Sequence, residues 1–555
     1  MELRAILFDT RSIQKYIFSS NQLKTNIGAS YLVERVFYDV LLPAVEEVVG
    51  TGELDAVTWR EKKEPDWASM PQKARVAYIG GGNALILLRP DAGEEAAPEI
   101  VRRFSRRLLV ECPGLQTGAA IGSLELAADG RWSDDDAKNR SGLVLKLKEQ
   151  QNFAFPLTNV PYTGLTLSSD GTGEAANAYD AGLGRYLSQD AAQKLRVAVS
   201  GRKPAPAEEA LREKLASVLS EEEKEGFLAH AAFPASLDDM GQKEAESYIA
   251  VVHIDGNNMG LQFSGLKTLT EYKNKSLEIY RSTIRAFAEL VLDLEKEGPM
   301  DFLSQKRTDE GRFYLPLRPL ILGGDDMTFV CAAKTAFDFT EFIMKALMEK
   351  GFDTCAGLAI LPTAYPFFRG YEIAEQLCDC AKVRMRKLAD TAKERPGKSA
   401  DVADESLTPR KSCWLDFLRL HGEQAPTLEQ IRRQEYRGAL GSLQFGPYRI
   451  DGDGSDHYSF RKLRALAEGL CRKIPNNKLK ELRSVLQHDE HAAKKYLEQL
   501  RHDGYRLPQV DGWEDYTGHL WQKRHAAMRT PFVEAIELLE FLPAGKRQAE
   551  DKEDA

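Results

Sequence analysis

The sequence predicts an α+β protein: two ferredoxin-like units packed as a pseudo-dimer, a helical connector between them, and a helical C-terminal domain. Three observations predict it. A β-α-β-β-α-β order occurs twice along the 555 residues. Each copy opens on an apolar strand that ends in an aspartate. Each then reaches a glycine-rich hairpin turn, 73 residues later in copy one (Asp9 to Gly82) and 70 in copy two (Asp255 to Asp325).

Copy one begins with the apolar run Ala5–Phe8 and Asp9. Apolar residues at Ala29, Leu32, Val33, Val36, Phe37, Val40 and Leu41 recur every three or four positions, one buried stripe of a helix. Two short apolar runs, Ala77–Ile79 and Ala84–Leu88, flank Gly80-Gly81-Gly82-Asn83 and read as a β-hairpin. A helix over Glu99–Val110 and a strand over Thr117–Leu126 complete the unit.

Copy two repeats this order. Tyr248–Ile254 and Asp255 form the first strand, and Leu277, Tyr280, Ile284, Phe287, Ala288, Val291 and Leu294 mark the helix. Leu320–Leu322, the turn Gly323-Gly324-Asp325-Asp326 and Met327–Cys331 form the hairpin. A helix over Ala336–Lys350 and a strand over Cys355–Leu361 follow, then a basic helix over Glu372–Lys387. Between the copies, Ser168–Gly241 reads as a small helical connector with a turn-rich start. Beyond about Lys398 the pattern is helical and charged, with short helices expected over Leu463–Cys471, Lys478–Leu486 and Glu490–Leu500. Ala544–Ala555 reads as a disordered, mixed-charge tail. The expected domains are 1–165, 166–245, 246–400 and 401–555.

Composition sets the class. Hydrophobic residues make up 43% and charged residues 29%, which excludes a mostly disordered chain. The net charge of −9 argues against a protein that coats nucleic acid wholesale. No apolar stretch approaches the ~20 residues of a membrane span, and the start MELRAILFD lacks the parts of a signal peptide. Seven scattered cysteines with no CxxC pair read as reduced thiols, so a cytoplasmic location without membrane contact is expected.

The chemistry concentrates in copy two. Asp255 ends a buried strand, and the GGDD turn is expected at the edge of the same sheet. Carboxylates brought that close repel one another unless a cation sits between them. Oxygen ligands completed by nucleotide phosphate and water are the Mg²⁺ pattern, and two ions clamp the oxygens of an in-line phosphoryl displacement. Asp255, Asp325 and Asp326 are therefore the expected catalytic residues. With Ile254 they are the expected ligands of two Mg²⁺ or Mn²⁺ ions. Asp325 is the firmer ligand, and Asp326 a second ligand or activator of a 3′-hydroxyl. Gly256, Asn257, Asn258 and Gly260 form a loop whose backbone can approach a triphosphate, with Gly323 and Gly324 beside it. Lys382 and Arg386, four apart on the basic helix, are expected to hold the leaving phosphates. His253, among apolar neighbours, reads as a satisfied core histidine. Copy one has GGGN in place of GGDD, and a lone Asp9 cannot hold two metals, so it is expected to be a structural partner facing the catalytic copy across a nucleotide.

These segments resemble a known family. Phe8–Val36 (FDTRSIQKYIFSSNQLKTNIGASYLVERV) is similar to the first-palm opening of the large subunit of type III CRISPR effector complexes, a polymerase-like protein with two nucleotidyl-cyclase-type palm domains. Ile254–Gly260 (IDGNNMG) and Ile321–Val330 (ILGGDDMTFV) resemble its two second-palm motifs, and Ala356–Lys387 the strand and helix that follow. The resemblance implies a palm-domain nucleotidyltransferase that converts ATP into cyclic oligoadenylates, messengers of antiviral defence, with Asp255, Asp325 and Asp326 as its metal-binding aspartates. It makes 1–165 the degenerate palm and 246–400 the catalytic one. It also implies partners: other CRISPR effector subunits and guide or target RNA, through the C-terminal helical domain. Two departures stand out. The first palm starts at the first residue, so an HD nuclease is not expected; the C-terminal helical region matches the family's docking region only weakly, so a stand-alone relative stays open beside a complex subunit. The connector has no cysteine, so zinc is not expected. Two alternatives stay open: a non-signalling scaffold subunit of a CRISPR ribonucleoprotein, and a cyclic-dinucleotide synthase.

Overall fold

The computed structural model describes residues 2–61, 70–135, 138–151, 162–170, 172–182, 184–199, 204–241, 248–393, 412–421, 427–450, 456–524 and 527–542. The expected tail and the domain boundaries at 245–246 and 400–401 lie outside these. The chain is a mixed α/β protein in two compact units. Unit one comprises Met1–Phe227, Asn258–Ala288 and Leu320–Met327; unit two comprises Leu228–Asn257, Glu289–Pro319 and Thr328–Ala555.

In unit one, strands β1 (Glu2–Arg11), β2 (Leu54–Asp55), β3 (Ala74–Gly80), β4 (Asn83–Leu88) and β5 (Gln116–Glu125) form a sheet in the order β2-β3-β4-β1-β5. β1 lies inside the sheet and is antiparallel to both neighbours, with Asp9 opposite Asn83 on β4 and Gly118 on β5. Alternation sends Phe8 into a core where its ring meets Phe104 at 5.1 Å, from the helix Ala96–Glu111. It sends Asp9 to the opposite face, where the helix Arg140–Gln151 packs on β5. The β3–β4 turn places Gly81 at φ 58° and Gly82 at φ 78°, the left-handed pair that a two-residue hairpin needs.

The connector contains β6 (Ala178–Asp180) and β7 (Arg185–Leu187), a hairpin the helical reading did not include, and the helices Gln189–Ala198 and Pro206–Ala216. The first of these helices docks on Leu23–Arg35 so closely that a Cβ on Gly28 would lie 1.9 Å from the Lys194 carbonyl oxygen.

Unit two adds β8 (Ala231–Ala232), β9 (Tyr248–Gly256), β10 (Phe313–Tyr314), β11 (Leu317–Gly323), β12 (Asp326–Ala332), β13 (Thr354–Pro362), β14 (Trp414–Arg419), β15 (Gly441–Ser442), β16 (Tyr448–Arg449), β17 (Gln522–Arg524) and β18 (Ala527–Arg529). The tip of the β11–β12 hairpin, Leu320–Met327, belongs to unit one. The main sheet runs β11-β12-β9-β13-β14-β16, so its first four strands repeat the β3-β4-β1-β5 order of unit one. β13 is antiparallel to β9, with Cys355 opposite Asp255, and parallel to β14.

The region after residue 412 departs from the helical expectation. The helices Phe460–Lys473, Asn476–Val485 and Glu490–His502 are present, but β14 extends the main sheet and β15, β18 and β17 form another. The run Trp414–Arg419 is short and continuously buried except at its last residue, and such a run carries no periodicity that separates strand from helix.

Candidate functional site

In unit two the site begins at the end of β9. Ile249–Ile254 are buried, so the strand is locked into the sheet. Asp255 follows with its side chain 26% exposed. The helix Phe367–Lys393 crosses β9, β13 and β14. Gly357 on β13, opposite His253, permits that approach: a Cβ there would fall 1.9 Å from the Ala374 carbonyl oxygen and 2.5 Å from the Cys378 nitrogen. The Cys378 thiol donates to the carbonyl of Cys355, the residue paired with Asp255. One helical turn on, Lys382 reaches the Asp255 carboxylate and forms an ion pair with it. Burial alone would lower the Lys382 ammonium's pKa, but the Asp255 carboxylate outweighs it and the net shift is upward.

His253 is a core residue. Its Nδ1 is 3.0 Å from Thr328 Oγ1, its ring meets Tyr371 edge-on at 5.6 Å, and burial pushes it down to about 4. Ile254 is buried behind the strand end. Asn257 is turned into unit two: it is 3% exposed, its backbone N–H donates to the Asp353 carbonyl at 2.9 Å, and its side-chain oxygen and nitrogen are buried. Arg386 is exposed on the same helix as Lys382.

In unit one, Asn258 takes a left-handed φ of 58° and starts the helix Met259–Ser264, where a Cβ on Gly260 would meet only open space. Gly323 ends β11, Gly324 turns at φ 63°, Asp325 lies in the turn and Asp326 opens β12. The Gly324 carbonyl accepts a hydrogen bond from Thr283 Oγ1 at 2.7 Å. A Cβ on Gly324 would lie 3.9 Å from Gly81 Cα, so the two glycine turns meet tip to tip.

Copy one has a different turn in the corresponding place. Gly82 holds the place of Asp325 at φ 78°, and a Cβ there would come 2.6 Å from Ile13 Cδ1. Asn83 holds the place of Asp326 and donates to the Gly81 carbonyl at 3.0 Å. Asp9 accepts from Gln151 at 2.5 Å, and burial raises its carboxyl above the ordinary range.

Among the described residues, no group of three His, Cys, Asp or Glu side chains stands close enough to hold a metal ion. Mg²⁺ does not require one: it is held by one or two carboxylates with substrate phosphates and water completing the shell. Asp255 presents one partly exposed carboxylate, and its present partner is the Lys382 ammonium, which a metal would have to displace. Sequence reading missed Thr283, Gly357 and Gln151. A hydroxyl inside the apolar stripe between Tyr280 and Ile284 was the visible signal for Thr283. No helix of the described residues is long and apolar enough to cross a membrane.

The class these features define is a mixed α/β protein carrying one strand order twice, with an acidic turn in one copy only. The chain is similar to Csm1, the large subunit of type III-A CRISPR–Csm. A Csm1–Csm4 cassette in complex with pppApApA matches at 12% identity over 97% of this chain and 69% of that chain, TM-score 0.49. The cassette with cA4 matches at 12% over 97% and 70%, TM-score 0.48, and the apo cassette at 16% over 69% and 53%, TM-score 0.41. No family model and no curated protein matches the chain.

Proposed function

We propose that this protein is a metal-dependent nucleotidyltransferase of two palm domains that converts ATP into a cyclic oligoadenylate-type second messenger in type III CRISPR-like defence. The observation that carries the reading is Asp255: a strand-end carboxylate on β9, partly exposed, with a cation held against it by the helix Phe367–Lys393. Asp325 and Asp326, in a turn whose backbone is held by Thr283, are the further carboxylates of the reading. ATP as substrate and the oligoadenylate product are those the motif resemblance implies.

Mg²⁺ or Mn²⁺, when bound with nucleotide, supplies positive charge to the phosphoryl oxygens. The chain's residues do the rest. Asp255 and Asp325 would hold the ions, and Asp326 would be a second ligand or would activate the attacking 3′-hydroxyl. Lys382 moves from Asp255 to the triphosphate, joined by Arg386. The backbone at Gly256, Asn258 and Gly260, with Gly323 and Gly324, lets phosphate approach closely. Copy one gives shape and no acid. The region from residue 401 is the proposed docking face for effector subunits and guide or target RNA.

The test is incubation of the pure protein with each NTP and Mg²⁺ or Mn²⁺, with and without RNA, and mass spectrometry of the products. Cyclic oligoadenylates from ATP are expected. Asp325→Ala combined with Asp326→Ala abolishes them while the circular-dichroism spectrum stays native. A cyclic dinucleotide corrects the product class. No product under any condition leaves the scaffold reading in its place.

A further inference from the structure

We infer that Thr283 is a positioning residue for the acidic turn, acting through the Gly324 carbonyl; this rests on the metal-site reading above. Thr283 lies within the helix Leu269–Glu297 and is 4% exposed. A threonine hydroxyl inside a helix ordinarily bonds back to a carbonyl of its own preceding turn. This one donates instead across to Gly324, at 2.7 Å. The Gly324 oxygen and the Asp325 nitrogen belong to one rigid peptide plane. Fixing that oxygen therefore fixes where Asp325 starts, in a turn whose glycine at φ 63° has little stiffness of its own.

The same helix face addresses the other turn. Ser276, two helical turns earlier, has its Oγ 3.3 Å from where a Cβ on Gly80 would stand. One helix thus carries a hydroxyl at each glycine hairpin. In copy two the hydroxyl is hydrogen-bonded to the turn that carries the acids.

The experiment is titration of Mn²⁺ in the presence of a non-hydrolysable ATP analogue, read by the electron paramagnetic resonance signal of free Mn²⁺, on the full chain. Variants are Thr283→Val, Thr283→Ala and Thr283→Ser. Loss of one net hydrogen bond weakens a coupled equilibrium by about fivefold. Both Thr283→Val and Thr283→Ala should weaken Mn²⁺ binding by about that factor, and Thr283→Ser, which keeps the donor, should bind within about twofold of wild type. Thr283→Ala covers the case in which the extra methyl group of valine prevents folding. If Thr283→Val and Thr283→Ala bind Mn²⁺ like wild type, or if Thr283→Ser is as weak as they are, the hydroxyl does not position the turn. If wild type itself binds no Mn²⁺ with the analogue, the metal-site reading fails and this inference with it.

Discussion

The Lys382 ammonium is paired with the Asp255 carboxylate, 127 residues away in sequence, at the end of the central strand β9. The pair is neither fully exposed nor fully buried, at 15% and 26% side-chain exposure. Exposed pairs contribute ~0–1 kcal/mol, whereas removing one partner of a buried pair costs ~3–5 kcal/mol. Lys382→Met should fall between, destabilising by about 2 kcal/mol, because it leaves Asp255 facing the helix without a counter-charge. Adding Asp255→Asn should recover most of that loss. Urea unfolding of the two single variants and the double variant gives the coupling. Additive losses would mean that the two side chains do not act as a pair.

The pair depends on how closely the helix Phe367–Lys393 lies on β13, which depends on Gly357. The atoms that a Cβ would strike are backbone atoms of Ala374 and Cys378, so no rotamer change relieves the clash. Gly357→Ala should cost at least about 3 kcal/mol, the upper range for overpacking. Gly265→Ala, at a position with open space and a φ of −84°, is the control and should be nearly neutral. Equal urea midpoints for the two variants would remove Gly357 from the explanation of how Lys382 is placed.

How much of this was legible in the sequence follows from the kind of signal involved. Periodicity exposes surfaces that repeat, so the strand Ile249–Ile254 and the helix carrying Ile284, Phe287 and Val291 could be read directly. The turn Gly323–Asp326 announced itself by residue type. The sequence singled out Lys382 and Asp255 each as a candidate, but not their pairing, because nothing local links positions 127 apart. Thr283 was hidden by its neighbours, whose apolar stripe explains the helix without it. Gly357 looked like one small residue in a strand, and its role appears only once the Ala374 carbonyl is placed above it. β14 was lost because WLDFLR is too short to show a period amid charged helices.

A pH dependence is expected from Glu534, 2% exposed on the helix Phe532–Leu539. Its carboxyl accepts from the Tyr448 hydroxyl at 2.5 Å and from the backbone N–H groups of Phe445 and Gly446 at 2.7 and 3.1 Å. Burial raises its pKa from 4.5 to about 7 against the pull of those donors. A raised carboxyl means the folded state binds the proton more tightly. Its contribution is full below about pH 4.5, where the unfolded chain is also protonated, and is lost as pH rises through about 7. Over that window the loss is on the order of 3 kcal/mol. Glu534→Gln keeps an acceptor oxygen and cannot ionise, so its stability should change less between pH 5 and 8. Parallel urea midpoints for wild type and Glu534→Gln across that range would refute this account.

Metal and nucleotide should stabilise the protein together. Asp255 is already neutralised by Lys382, so a metal alone has to displace an ammonium and gains little. ATP alone would offer the ammonium a better partner, but on the proposed reading its triphosphate would meet the carboxylates with no ion between them, and like charges oppose that. On the proposed reading, with both present Lys382 would pair with the phosphates and Asp255 would be free to hold the ion. At a ligand concentration ~100 times its dissociation constant, mass action adds about 2.7 kcal/mol. For a chain of this size that amounts to a rise in Tm of a few degrees. Melting is measured with ATP, with Mg²⁺, with both, and with both on the combined Asp325→Ala and Asp326→Ala variant. The largest rise is expected for wild type with both ligands, and most of it should vanish in the variant. Lys382→Met should lose part of the ATP-dependent rise, because the phosphates lose their ammonium. If ATP alone stabilises wild type as much as ATP with Mg²⁺, no ion bridges nucleotide and carboxylates, and the metal-site reading of Asp255 and the GGDD turn is wrong.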